Sequence, residues 1–431
     1  MTPSLALLAS FAVLLFMGAP IAVALGFAGV VGIYLGLDVY ALATVGTNTY
    51  NGIAKYPLIA IPLFILTGMI FERSGVAKGL VEFAGALVGP RRGGLAVVAV
   101  LVCMMMGGMS GSGPADAAAV AMVMIPSMMK AGYPREFSAS VIAAGASTAI
   151  LIPPSVALII YSIIVPGVDL RALFAGGIIP GLLAGLAIII PVVLLSRRHD
   201  FGAQETRSQS ALLPAFIHAL PGLLAPVIIL GGLRSGLFTP TEAAVVAVAY
   251  GLLIGMFVYR TIRLRDLYQL FVDSAVTSGV IMLIITLAGI FAWAGMTLGT
   301  FDMVANAILG LSTNEHVVLA LIMVVLLLAG MVLDGVSIYL IMLPILMPIM
   351  QEFGWSTVWF GVVMAMNIAI GQFTPPVAVN LMVTTRIAGV PLEKSVSWSL
   401  WLVLSMAIAM TLVIMFPALV TWLPDLLGYR T

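Results

Sequence analysis

The chain has 431 residues, of which 62% are hydrophobic and 8% charged, with a formal net charge of +1 and a mean hydropathy of +1.21. Soluble domains carry about 25% charged residues, so this composition excludes an ordinary soluble enzyme or binding module and indicates a polytopic membrane protein. No basic stripe exists to neutralise phosphates, which excludes a nucleic-acid role; one cysteine and three scattered histidines permit no internal disulfide and no metal-ligand spacing.

The first 37 residues lack a basic n-region and a cleavage site, so they read as mature transmembrane structure rather than a signal peptide. Ser4 to Leu37 is apolar but interrupted at Gly18-Ala19-Pro20, which predicts two helices and a tight turn. A polar loop is expected from Asp38 to Tyr56, then a span from Pro57 to Phe71. Gly93 to Met109 and Asp116 to Lys130 flank the polar stretch Ser110-Gly111-Ser112-Gly113-Pro114. At 1.5 Å per residue these arms reach roughly 25 and 22 Å, short of the ~30 Å hydrocarbon core. Two short arms around such a tip predict a re-entrant hairpin, over about 86–130.

Residues 135–165 form an apolar helix broken at Ile152-Pro153-Pro154-Ser155, because proline lacks the donor and disfavours helix before it. Spans follow at Phe174 to Ser196, Leu212 to Gly231, Pro240 to Tyr259 and Val272 to Gly299. A second pair of short arms, about 317–350, flanks Asp334-Gly335; a second broken helix, about 357–388, is interrupted at Phe373-Thr374-Pro375-Pro376, and Val396 to Leu423 closes the chain.

The same order therefore occurs twice, in 1–210 and 211–431. Pro20 and Pro240 open corresponding helices. Asp116 and Asp334 each stand ten residues before a proline, and both Pro-Pro pairs recur at a spacing of 222. The basic clusters Arg197 to Arg207 and Arg260 to Arg265 share a side under the positive-inside rule. Counting spans from them puts the first hairpin's ends in the cytoplasm and the second's outside, so the repeats are inverted. The expected fold is an all-α polytopic membrane protein with about 10 spans plus two hairpins.

Irregular backbone survives at membrane depth only where protein or a water-filled cavity receives it, and paired breaks of this kind suit a secondary transporter. Carbonyls and hydroxyls there would hold a hard cation, and half-helix N-termini would face an anion. The candidate cation residues are Ser110, Ser112, Gly145, Ser147, Thr148 and Pro153 in the first repeat, and Gly330, Asp334, Ser337, Gly371, Thr374 and Pro376 in the second. Candidate substrate residues are Asp116, Pro154, Asn367, Gln372, Pro375 and Asn380. Ser and Thr also cap helices, an acid near a helix start also complements the dipole, and Asn367, Gln372 and Asn380 also suit helix bridging. Glu242 reads as structure, in the capping box Thr239-Pro240-Thr241-Glu242. The rival class is an ion or solute channel with re-entrant loops; no nucleophile–base set points to an enzyme.

At GGMSGSGPADAAAV (107–120), ILIPPS (150–155), GLFTPTEAA (236–244) and QFTPP (372–376) the chain resembles the large membrane subunit of tripartite ATP-independent periplasmic (TRAP) transporters. The resemblance spans essentially the whole chain. It implies a sodium-coupled translocating subunit in the bacterial inner membrane, with an elevator-type transport domain formed by both hairpins and both broken helices and a scaffold formed by the remaining spans. It also implies a separate small four-helix membrane subunit, a periplasmic substrate-binding protein, and an organic acid substrate such as a C4-dicarboxylate, sialic acid or other sugar acid. Na⁺ would be the coupling ion, with no other cofactor.

Overall fold

In a computed structural model, residues 2–37, 39–203 and 211–430 are described; the expected loop around Arg207 lies outside them. Among the described residues the chain forms twenty α-helices and no strand, as a bilayer requires of a chain that must pair its own backbone groups. α1 (Pro3–Phe16) and α2 (Ile21–Gly36) are joined through Gly18, whose φ of 80° supplies the turn. α3 (Ala43–Ile53), α4 (Ala60–Arg73) and α5 (Val76–Val88) lead to the first hairpin, α6 (Gly94–Ser110) and α7 (Gly113–Lys130). The first broken helix is α8 (Arg135–Ser147) and α9 (Val156–Ile164), followed by α10 (Leu170–Arg198). α11 (Leu212–Arg234), α12 (Pro240–Leu253), α13 (Leu264–Thr297) and α14 (Thr300–Leu309) lead to the second hairpin, α15 (Glu315–Gly330) and α16 (Gly335–Glu352). The second broken helix, α17 (Thr357–Gly371) and α18 (Val379–Ala388), precedes α19 (Leu392–Met415) and α20 (Ala418–Leu426).

Packing sorts these helices into two groups. α2 and α3 lie against α13, α4 against α12 and α13, and α11 against α5 and α12. In the other group α8 packs on α6, α7, α18 and α19, while α10 packs on α6, α17, α19 and α20. The groups meet where α4 touches α6, α7 and α9, where α5 touches α6 and α7, where α11 touches α6, and where α13 and α14 touch α16.

Contacts at the helix ends define two opposite faces. At one, Arg92 before α6 pairs with Asp200 after α10 at 2.7 Å, and Phe137 at the start of α8 packs on Phe201 and Trp398. This face collects the ends of the first hairpin and the basic residues Arg91, Arg92, Lys130, Arg135, Arg197 and Arg198. At the other, Tyr161 Oη on α9 donates to the carbonyl oxygen of Thr357 at 2.7 Å, and Trp355 Nε1 donates to Glu315 Oε1 at 2.7 Å. That face collects the ends of the second hairpin. The two hairpins thus enter the body from opposite ends, and each broken helix runs from face to face.

The structure departs from the sequence reading in several places. The expected polar loop at 38–56 contains α3, a helix of weak intrinsic propensity (ATVGTNTYNGI) held against α13. α5 and α14, short connecting helices with one apolar face, were assigned to no element, and α5 includes 86–88 at the expected start of the first hairpin. The expected span 272–299 belongs to a 34-residue helix, about 51 Å long, which begins earlier, with the more polar stretch LRDLYQLFVD. The expected final span is divided at Pro417 into α19 and α20. Among the described residues seven helices are, by length and composition, long and apolar enough to cross a membrane, while α1 and α2 have 14 and 16 residues. α10 and α19, expected with the scaffold, pack on the broken helices.

Close backbone contact joins the second hairpin to its break. A Cβ on Gly371 would lie 2.7 Å from the Cα and carbonyl carbon of Gly330. Gly371→Ala is expected to lower stability by about 1–3 kcal/mol through overpacking, whereas Gly279→Ala, with open space around it, is expected to be neutral. Thermal melting in detergent checks the pair, and equal melting of both variants would contradict the contact.

Candidate transport site

The first hairpin tip is only two residues, Gly111 and Ser112. Gly111 has φ 62°, and a Cβ there would collide with the carbonyl oxygen of Pro154, so the tip rests on the first Pro-Pro break. The helix restarts at Gly113, with Pro114 in its first turn where a missing N–H costs nothing. A short hydrogen-bond chain closes the tip. Ser112 N–H donates to Ser110 Oγ at 3.1 Å, and Ser110 Oγ–H donates to Asp116 Oδ1 at 2.6 Å. Asp116 is fully buried and its Oδ2 has no hydrogen-bond partner.

The second tip is organised differently. Asp334 is the N-cap of α16: its Oδ2 accepts from Val336 N at 3.0 Å and Ser337 N at 3.3 Å, and its Oδ1 accepts from the Ser337 hydroxyl. Val377 N in the second break donates to Met331 O at 3.1 Å, so this tip too is fastened to the break of its own repeat.

The breaks begin earlier than the prolines. α8 passes through a 3₁₀ turn at Thr148–Ile150 before Pro153-Pro154, and α17 ends at Gly371 before Pro375-Pro376. Thr148 Oγ1 donates to Gly145 O at 2.7 Å, Ser147 Oγ to Ala144 O at 2.7 Å, and Thr374 Oγ1 to Ile370 O at 2.6 Å. Each hydroxyl proton is spent on the helix's own backbone, and Ser147 Oγ also lies 3.9 Å from Met406 Sδ of α19. Gly145 itself packs against α6 at Cys103 and Val100.

Around the first tip the buried acceptors are poorly matched with donors. A Cβ on Gly113 would lie 2.6 Å from Gln372 Oε1 and 3.2 Å from Asn380 Oδ1, so both side-chain amides cover the start of α7. Asn380 Nδ2 donates to Ala143 O at 3.3 Å, which turns its Oδ1 away from that bond. Gln372 Oε1 and Asn380 Oδ1 are buried without partners. Asn367, by contrast, donates to Met323 O at 2.8 Å and ties the second hairpin to α17 rather than reaching the site.

Both tips border one cavity of about 480 Å³, with Ile150 and Val156 on either side of the first break and Gln372 just before the second. Of the residues singled out in the sequence, Ser112, Asp334 and Gln372 line it; the other candidates do not, most of them being buried and Pro376 exposed. The opposite helical group contributes Gly68, Met69 and Glu72 of α4 and Thr277 of α13. Sequence reasoning missed this wall. The available signal was Glu72, a carboxylate within the last turn of an apolar helix. Two carboxylates, Glu72 and Asp334, line the cavity, and among the described residues no Lys, Arg or His does.

Opposed hairpins, two chain breaks and a shared cavity inside a multi-pass helical body define a membrane transporter. The profile of the family described as tripartite ATP-independent periplasmic transporter, DctM component, matches residues 8–419. The chain is 38% identical over 373 residues to a C4-dicarboxylate TRAP transporter large permease protein DctM of Pseudomonas aeruginosa, covering 86% of this chain and 87% of that one. It is 33% identical over 421 residues to a sialic acid TRAP transporter large permease protein SiaM of Vibrio cholerae, covering 96% and 97%. The crystal structure of the Alcanivorax borkumensis YdaH transporter shares the fold, with a TM-score of 0.63 at 17% identity, covering 98% of this chain and all of that one. The chain belongs to the DctM-component family of TRAP transporter large permeases.

Replacing Ser110 with Ala strands the Ser112 amide and leaves the buried Asp116 carboxylate without its donor. A loss of about 1–3 kcal/mol is expected, read as a lower melting temperature, with Ser110→Thr retaining most of the stability. An unchanged melting temperature in Ser110→Ala would show that the tip does not depend on this chain of bonds.

Proposed function

We propose that the protein is the translocating subunit of a sodium-coupled importer of organic acids in the bacterial inner membrane. The observation that carries the reading is the charge of the cavity. An acid entering a site lined by two carboxylates and no base needs positive charge from elsewhere. The N-termini of α7 and α16 supply part of it, and cations bound among the unpaired oxygens supply the rest. Coupling follows, because the anion binds well only when the cations are present.

In this reading Ser110, Ser112, Gly145, Ser147, Thr148 and Pro153 provide the oxygens of one sodium site. Gly330, Asp334, Ser337, Gly371, Thr374 and Pro376 provide those of the other. Pro154, Pro375, Gln372 and Asn380 shape the place between them where substrate sits, with Asp116 holding the first tip in register. The relatives' named substrates, C4-dicarboxylate and sialic acid, bracket the class of acid. The tripartite description of the family supports delivery by a periplasmic binding protein and assembly with a small membrane subunit.

The basic face, with Arg91, Arg92, Lys130 and Arg197, lies in the cytoplasm by the positive-inside rule, so the two repeats have inverted orientation. The helical group α6–α10 with α15–α20 moves as one body along the group α1–α5 with α11–α14, which carries the cavity across the membrane. α10, α19 and α20 travel with the hairpins, since that is where they pack.

Reconstituted with a small membrane subunit and a binding protein, the chain is expected to take up an organic acid only with an inward sodium gradient. Asp334→Asn is expected to raise the sodium concentration for half-maximal uptake about tenfold or more. Sodium-independent uptake, or ohmic current in place of saturable uptake, would contradict the carrier reading. An unchanged sodium requirement would remove Asp334 from the site.

A further inference from the structure

A second cavity, of about 430 Å³, separates α11 of one helical group from α10 and α20 of the other. α11 packs on α5, α6 and α12 and faces α10 and α20 across this gap. The walls are apolar: Phe174 and Ile178 of α10, Val227 and Leu230 of α11, Leu423 and Leu427 beside them. The only charged side chains in the lining are two arginines, Arg171 in the first turn of α10 and Arg234 at the last residue of α11. Both stand at the end of the body away from Arg197 and Arg198, which close α10, so this positive charge is not the kind that the positive-inside rule accounts for. From Arg234 down to Pro226, the deepest lining residue of α11, is about 12 Å along the helix, within the ~15 Å of one hydrocarbon leaflet.

The two guanidiniums differ. Asp169, the N-cap of α10, receives Arg171 Nε at 3.2 Å and Nη2 at 3.0 Å, and the same guanidinium lies 5.4 Å from the centre of the Tyr429 ring. Arg171 is thus held in place with Nη1 left over, and its charge is offset by Asp169. Arg234 is exposed and makes no ion pair among the described residues. Asp425, two residues from both Leu423 and Leu427, falls on the opposite face of α20 and does not line the cavity. Two arginines and one carboxylate leave one net positive charge at the mouth of an apolar shaft. We infer that this cavity binds one anionic phospholipid, with its phosphodiester at Arg171 and Arg234 and an acyl chain in the shaft. The single negative charge of a phosphodiester matches the mouth, and guanidiniums suit its oxygens. Water is a poor filler for an apolar gap, and a small soluble anion would leave the shaft empty. The groove on the other side of α10, between Leu183, Phe416 and Trp422, has no charged lining residue and offers a lipid tail no such anchor for its headgroup.

The test uses the full chain purified in detergent, stripped of lipid and titrated with dioleoylphosphatidylglycerol or dioleoylphosphatidylcholine, with bound lipid counted by native mass spectrometry. The wild type is expected to retain one phosphatidylglycerol about fivefold or more tightly than phosphatidylcholine. Arg234→Gln, at an exposed position that leaves the fold intact, is expected to remove most of that preference, and Arg234→Lys to keep most of it. Val227→Trp, which fills the shaft, is expected to weaken both lipids. Arg198→Gln on the basic face is expected to leave the preference unchanged. Equal retention of the two lipids by the wild type, or a preference that survives Arg234→Gln, overturns the inference. Loss of the bound phosphatidylglycerol on adding a small membrane subunit would show that a protein covers this groove and would overturn it as well.

Discussion

Backbone amides and carbonyls cannot stay unpaired in hydrocarbon, and the four places where this chain leaves the helix all have to be received by protein. The architecture answers that constraint directly. Gly111 sits against the carbonyl of Pro154, and Met331 O accepts from Val377 N, so each hairpin tip is fastened to the break of its own repeat. The N-termini of α7 and α16 both reach one cavity, beside the residues that flank the two breaks. The fold thus concentrates the irregular backbone of an apolar chain in a single region.

Electrostatics then gives the region its direction. Among the described residues the lining offers two carboxylates and no Lys, Arg or His, and the proposed coupling has positive charge arrive with the cargo. Buried acceptors without donors, Asp116 Oδ2, Gln372 Oε1 and Asn380 Oδ1, lie at the first tip and the side chains covering it. Such groups are costly in a site that stays empty and well suited to one that fills with cations. The cavity walls are split between two packed groups of helices: Glu72 and Thr277 belong to one group and the tips to the other.

Much of this was legible in the sequence because prolines and glycines act through backbone chemistry that needs no tertiary context. Pro153-Pro154, Pro375-Pro376, Gly111 and Gly335 marked the breaks and tips within a few residues, and the 222-residue spacing revealed the repeat. What escaped depended on partners. α3 has neither apolar periodicity nor strong helix propensity and is held by α13. α5 and α14 are too short for a span criterion. Asp334 stood out as an acid at a tip, but only the coordinates show that both its oxygens are occupied in capping α16. Asn367 and Gln372 looked alike in sequence, yet one ties α17 to the second hairpin and the other covers the start of α7. Glu72 was hidden because its role comes from α13 and the tips packing around it, and no local pattern encodes that.

The claim at the centre of this account is that the hairpins and broken helices move as one body past the other group of helices. Gly108 on α6 and Pro226 on α11 belong to different groups, and a Cβ on Gly108 would lie 3.6 Å from the Cβ of Pro226, within disulfide geometry. With the buried Cys103 replaced by Ser, Gly108→Cys and Pro226→Cys can be oxidised to join the groups. The account predicts that uptake stops when the bond forms and returns on reduction; full uptake by the cross-linked protein would contradict it.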